Sequence, residues 1–251
     1  MTITINALKE RIRRKELYIV VVIALIILAF CGSDAATISV EGEPIVGFVR
    51  MFKVLHVIVN AAGCLLAMIL SLRTILVEYK EKRSHLVWIR GVSQVRYHAQ
   101  LAAANIISSA IAVTILYLAL AFYAVTKGAA GYLPSMLPGL LIIYLNIAIV
   151  SLLTSVLSIC LPSFGAGLIG SICIIVGVLH SILDIYKNII GGFSGTIIKW
   201  VLLIFPDLNG LQSQAVNIIL GNGADTHVLL KGLFTLYIIS FGLWMFRKKE
   251  A

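Results

Sequence analysis

Six apolar runs of membrane-spanning length, each bounded by polar or basic residues, constrain this chain more than any other feature. They cover about 17–33, 54–77, 101–124, 137–160, 164–184 and 228–246. A helix needs roughly 20 apolar residues to cross a hydrocarbon core about 30 Å thick, and each run is close to that length. Backbone groups in lipid find no water to bond, so each run must satisfy its own N–H and C=O groups as a helix. The alternating ten-residue segments of a membrane barrel are not visible. With 60% hydrophobic and 12% charged residues and a mean hydropathy of +1.03 over 251 residues, too little polar surface remains to cover a globule. That excludes a soluble enzyme, a secreted disulfide scaffold and a disordered chain. The expected fold is one all-α polytopic membrane domain over 1–251.

The charge decides orientation. Twenty Lys and Arg against eleven Asp and Glu give +9. The basic residues flank apolar runs in short clusters, which is a topology signal and gives no reason to expect a nucleic-acid partner. With the N-terminus inside, the inner set is Lys9, Arg11, Arg13, Arg14, Lys15, Arg73, Lys80, Lys82, Arg83, Arg90, Arg96, Arg247, Lys248 and Lys249. The outer set is Arg50, Lys53, Lys127, Lys187, Lys199 and Lys231, a bias of 14 to 6 that puts both termini in the cytoplasm. Residues 3–15 carry Ile5, Leu8 and Ile12 on one side and Lys9, Arg11, Arg13 and Arg14 around the rest, the pattern of an interfacial helix lying among lipid headgroups.

Three connections are informative. Residues 34–53, with Asp34, Glu41, Glu43 and Pro44, read as an outer polar loop. The inner segment 78–100 mixes Leu86, Val87, Trp88 and Ile89 with charge and reads as a short cytoplasmic helix that meets a partner. The outer segment 185–227 holds TIIKWVLLIFP, at eleven residues too short to cross, so a re-entrant or interfacial hairpin ending at Pro206 is expected.

Few residues invite chemistry. Cys31, Cys64, Cys160 and Cys173 fall in or at the end of apolar runs without ligand spacing, as small packing residues do, and no metal site is expected. GAGLIG at Gly165–Gly170 matches a dinucleotide fingerprint only in letters. It opens an apolar run, where small residues let helices approach closely. No phosphate-binding P-loop occurs, so nucleotide energy would have to come from another subunit, and no catalytic residue is assigned. GFSG at Gly192–Gly195 resembles the Gly-x-Ser-Gly element of intramembrane rhomboid serine proteases, which makes a hydrolase using Ser194 with His56, His180 or His227 one alternative. A non-transport membrane scaffold is the other. His180 and Asp184 stand four apart and can touch on one helical face. Asn60, Asn105, Ser108, Thr114, Asn146 and Ser151 place amides and hydroxyls inside the spans, either as interhelical hydrogen bonds or as the polar wall of a substrate path.

Taken together, the basic interfacial helix, six spans, a cytoplasmic helix between the second and third, and a long outer segment before the last resemble permease subunits of the type-2 ABC exporter superfamily. Glu78 stands at that family's acidic exit from the second span, and Val92 and Ser93 fit the turn that opens the third. Gly91 replaces its proline, Gln94 its arginine, and Lys82-Arg83 its Gly-Thr. FPDLNGLQ from Phe205 to Gln212 and the ending MFRKKE look like the small multi-copper-enzyme-maturation-type and bacteriocin-immunity-type branches. The resemblance implies a second permease, identical or a sister subunit, on separate ABC ATPase subunits that supply ATP and Mg, while this chain binds no cofactor itself. It implies coupling to the ATPase through 78–97, with Glu78, Arg83, Leu86, Trp88, Ile89, Val92, Ser93 and Tyr97 as the contact. The expected cargo is hydrophobic or amphipathic, an antimicrobial peptide first.

Overall fold

The computed structural model describes residues 2–13, 18, 20–26, 39–40, 43–44, 47–80, 89 and 91–245, with the side chains of 2, 39, 40, 43, 44, 73–77, 79, 80 and 188 left aside. Helices dominate. In chain order they are α1 (Thr2–Arg13), α2 (Phe48–Lys80), α3 (Gln94–Thr126), α4 (Leu133–Cys160, entered by a 3-10 turn at Ala130–Tyr132), α5 (Ser163–Val178), α6 (His180–Ile190), α7 (Gly192–Ile204), α8 (Leu208–Ile219) and α9 (Thr226–Met245). Residues 20–26 are also helical, and the sole ladder among the described residues is a two-residue antiparallel pair, Ser39–Val40 with Glu43–Pro44.

Four helices are long and apolar enough to cross a membrane: Phe48–Leu72, Gln94–Thr126, Ala130–Cys160 and Thr226–Met245. The pair α5 and α6 makes a fifth if its two parts form one span. The run 17–33 falls largely outside the described residues, though Val20 and Ala24 join the core. One boundary differs from the sequence reading. Helix α2 starts at Phe48, ahead of the run 54–77, so Arg50 and Lys53 sit in its first turns and not in the loop 34–53. Long cationic side chains reach water from a helix end, so the apolar count started too late. Helix α2 then runs on to Lys80. At about 1.5 Å per residue its 33 residues reach roughly 50 Å, which carries Glu78 beyond the hydrocarbon.

The run 164–184 is not one straight span. It bends by 66° at Leu179. The chain after the hairpin packs against the helix just before the bend: a side chain at Gly177 would meet Leu208 at 2.7 Å and the Pro206 carbonyl oxygen at 2.8 Å. Helices α6 and α7 form the expected hairpin, turning at Gly191 and Gly192, whose φ values of +60° and +58° disfavour a side chain. The second arm ends at Phe205 before Pro206.

Helix α4 is the hub and touches α2, α3, α5, α8 and α9. Its span window is 61% buried against 11% for α9, which lies at the rim. The core between these helices is Phe52, Leu55, Val59, Leu116, Leu120, Ile143 and Ile147. Glycines set the close approaches: Gly63 of α2 faces Val113 of α3, and Gly170 of α5 faces Met68 of α2. The buried stripe Ala104, Ser108 and Ala112 serves the same purpose on α3.

Candidate functional site

Helix direction sorts the molecule into two ends. One holds the close of α2, the start of α3 and α1; the other holds the start of α2, the hairpin α6–α7 and the start of α9. At the first end, Tyr97 in the opening turn of α3 donates its hydroxyl to Glu78 Oε2 at 2.6 Å. Two of the expected coupling residues, at either edge of the connection, are thereby tied together. Tyr97 is 1% exposed and packs with Leu101, Leu152, Ile159 and Leu243, with Ile3 and Ala7 of α1 against them. It supports the connection from inside and offers no surface to a partner. Ser93 caps α3 by accepting the Arg96 N–H, Val92 leans on the Tyr97 cluster, and Gly91 turns with φ +78°. Ile89 stands 82% exposed. Arg83, Leu86 and Trp88 lie outside the described residues.

Helix α1 covers Thr2–Arg13 of the expected 3–15, and residues 14 and 15 lie outside the described residues. It docks on α3, where Thr4 Oγ1 donates to the Gln100 carbonyl at 3.1 Å. Arg11 is 6% exposed and donates to the Leu70 carbonyl at 3.0 Å and to Asn105 Oδ1. Asn105 lies four residues inside the apolar run 101–124, so a guanidinium placed among headgroups by the sequence reading enters the bundle instead. A charge there demands satisfied partners. The amphipathic pattern could not reveal this, because those partners lie 59 and 94 residues away.

The polar residues of the spans are knitted to one another. Asn105 Nδ2 donates to Ser155 Oγ at 3.1 Å, and the Ser71 and Ser151 hydroxyls meet at 2.7 Å. Ser108 bonds back to the Ala104 carbonyl, and Thr114 meets both the Ala110 carbonyl and the Tyr144 hydroxyl. Asn146 Nδ2 reaches Asn60 Oδ1 at 3.2 Å and the Leu208 carbonyl at 2.8 Å, while its own Oδ1 has no hydrogen-bond partner among the described residues. In this conformation five of the six expected path residues therefore hold helices together, and Ser108 bonds only within α3.

A buried cluster around His56, which the sequence offered only as a candidate base for Ser194, lies one turn along α2 from Asn60. His56, fully buried, places Nε2 3.0 Å from the Tyr117 hydroxyl and takes the Gln212 amide N–H on Nδ1 at 3.2 Å. The signal was a histidine inside an apolar run. Its partners on α3 and α8 are visible only in the fold.

The hairpin end gathers charge. His180 sets Nδ1 3.5 Å from Asp207 Oδ1 and Nε2 3.4 Å from the Leu202 carbonyl, so it faces neither Asp184 nor Ser194. Asp184 pairs with Lys187 at 2.5 Å. Ser194 is exposed in the first turn of α7, His56 is held as above, and the His227 N–H bonds Asp225. His180, Asp184 and Lys187, with Lys199 and Trp200 of α7 and Lys231 of α9, line a cavity of about 480 Å³ between the hairpin and α9. Among the described residues no group of three or more His, Cys, Asp or Glu could hold a metal. No family model, no curated protein and no solved structure matches the chain.

Proposed function

We propose that this chain is the transmembrane permease subunit of an ATP-driven ABC exporter. It works with separate ATPase subunits and with a second copy of itself or a sister permease. Its six spans, with both termini cytoplasmic, move a hydrophobic or amphipathic compound across the cell membrane, an antimicrobial peptide being the first candidate. ATP and Mg belong to the ATPase.

The observation that carries this reading is the Glu78–Tyr97 hydrogen bond at the base of the connection between α2 and α3, with Ile89 exposed in between. A force on the connection cannot be absorbed by loosening one helix end, because the two ends are joined. It tilts α2 and α3 together. Both helices also carry path residues, Asn60 on α2 and Asn105, Ser108 and Thr114 on α3, so the same tilt separates Asn60 from Asn146 and opens a polar wall between helices.

The test replaces Trp88 and Ile89 by alanine, verifies membrane insertion, and measures ATPase co-purification and transport-coupled ATP hydrolysis. Truncating buried anchors commonly costs about 2 kcal/mol, so affinity should fall roughly thirtyfold. Unchanged co-purification with unchanged coupling removes the reading. Orientation is checked by single cysteines at Ser84 and Gly223 in a chain whose own four cysteines are replaced by alanine. An impermeant thiol reagent on intact cells should label position 223 and spare position 84.

A further inference from the structure

We infer that the cavity between the α6–α7 hairpin and α9 binds the phosphate headgroup of an anionic phospholipid. Three lysines from three separate helices meet there: Lys187 of α6, Lys199 of α7 and Lys231 of α9. Asp184 occupies one of them, at 2.5 Å from Lys187, and lies within electrostatic reach of Lys231 and His180. Lys199 and Lys231 have no ion-pair partner among the described residues. Three cations against one carboxylate leave the cavity positive, and its volume of about 480 Å³ falls within the roughly 300–1,000 Å³ of small-ligand sites.

The walls select an amphiphile over a free ion. Trp200, Leu202 and Leu203 line the same cavity, and Trp200, Leu203 and Ile204 are 61%, 73% and 74% exposed along α7. That apolar strip borders the cavity that holds the lysines, which places a surface for an acyl chain next to a site for its phosphate. Lys231 is five residues into α9, about 8 Å from its start at roughly 1.5 Å per residue, close enough for a long ammonium side chain to reach the headgroups. Snorkelling alone would spread the lysines around the rim. Their convergence on one cavity from three helices is what calls for a ligand.

The inference does not depend on transport. The full chain is purified in detergent, stripped of lipid, and titrated with phosphatidylglycerol or phosphatidylcholine while bound lipid is counted by native mass spectrometry. The wild type should prefer phosphatidylglycerol. Each lysine near an anionic lipid is worth about fivefold, so the double variant Lys199→Gln with Lys231→Gln should lose roughly thirtyfold and fall to the phosphatidylcholine level. The pair Lys199→Arg with Lys231→Arg keeps the charge and should keep the preference, which guards against misfolding as the explanation. Arg50→Gln with Lys53→Gln, at the same end but on α2, should change nothing. Equal affinity for the two lipids, survival of the preference in the glutamine variant, its loss in the α2 variant or in the arginine pair, or full displacement by millimolar inorganic phosphate would each overturn the assignment.

Discussion

The two ends of the bundle treat charge in opposite ways. Where α2 ends and α3 begins, charged groups are bound into the protein by partners far away in sequence: Arg11 on Leu70 and Asn105, Glu78 on Tyr97. At the hairpin end, Lys187 finds its partner only three residues away, and Lys199 and Lys231 face a cavity. The first arrangement ties helix ends to one another. The second leaves charge available to something outside the chain.

The largest effect expected from disturbing this contrast is at the bend that joins the hairpin to the bundle. Gly177→Val places a branched side chain where even a Cβ lies 2.8 Å from the Pro206 carbonyl oxygen, an atom that cannot rotate away. Overpacking of this kind costs about 3 kcal/mol, read as a lowered unfolding midpoint in detergent. A variant as stable as the parent would mean the hairpin is loosely hung.

Next is Arg11→Met, which keeps much of the length of the side chain and removes its bonds to Leu70 and Asn105. Hydrogen bonds to charged groups are worth about 1.5–3 kcal/mol, so a loss of about 2 kcal/mol is expected, together with faster proteolysis of α1. If the midpoint rises instead, the buried guanidinium costs more than it contributes. The smallest effect belongs to Tyr97→Phe, which removes only the hydroxyl on Glu78 and should cost about 1 kcal/mol by the same measurement, with a larger loss in coupled ATP hydrolysis than in stability. Equal losses in both would make Tyr97 a packing residue and nothing more.

How much of this could be read from the sequence follows from the range of each interaction. Helix identity is local: apolar length forces it, and α3, α4 and α9 overlap the runs 101–124, 137–160 and 228–246, though α3 starts well before its run. The hairpin was equally legible, because TIIKWVLLIFP is too short to cross and Pro206 stops it. The bend at Leu179 was not, since no proline marks it, and the residues packed on Gly177 beside it, Leu208 and Pro206, arrive about thirty residues later in the chain. Arg11 was misplaced for the same reason. An amphipathic pattern says which side of a helix is polar, and cannot say whether water or an asparagine on another helix satisfies it. Among the span polars, the residue types were visible and the pairings were not: the Leu208 carbonyl that anchors Asn146 belongs to a helix beyond the hairpin.

The central claim is that the joint built on Glu78 and Tyr97 receives force from a separate ATPase. A photo-crosslinking amino acid placed at position 89, where the side chain is 82% exposed, tests it most directly in native membranes. The account predicts a covalent product with a P-loop ATPase, and none when the same amino acid replaces Phe234, exposed on the rim helix α9. Crosslinks from position 89 to lipid alone, with no ATPase recovered from membranes that contain the chain, would contradict it.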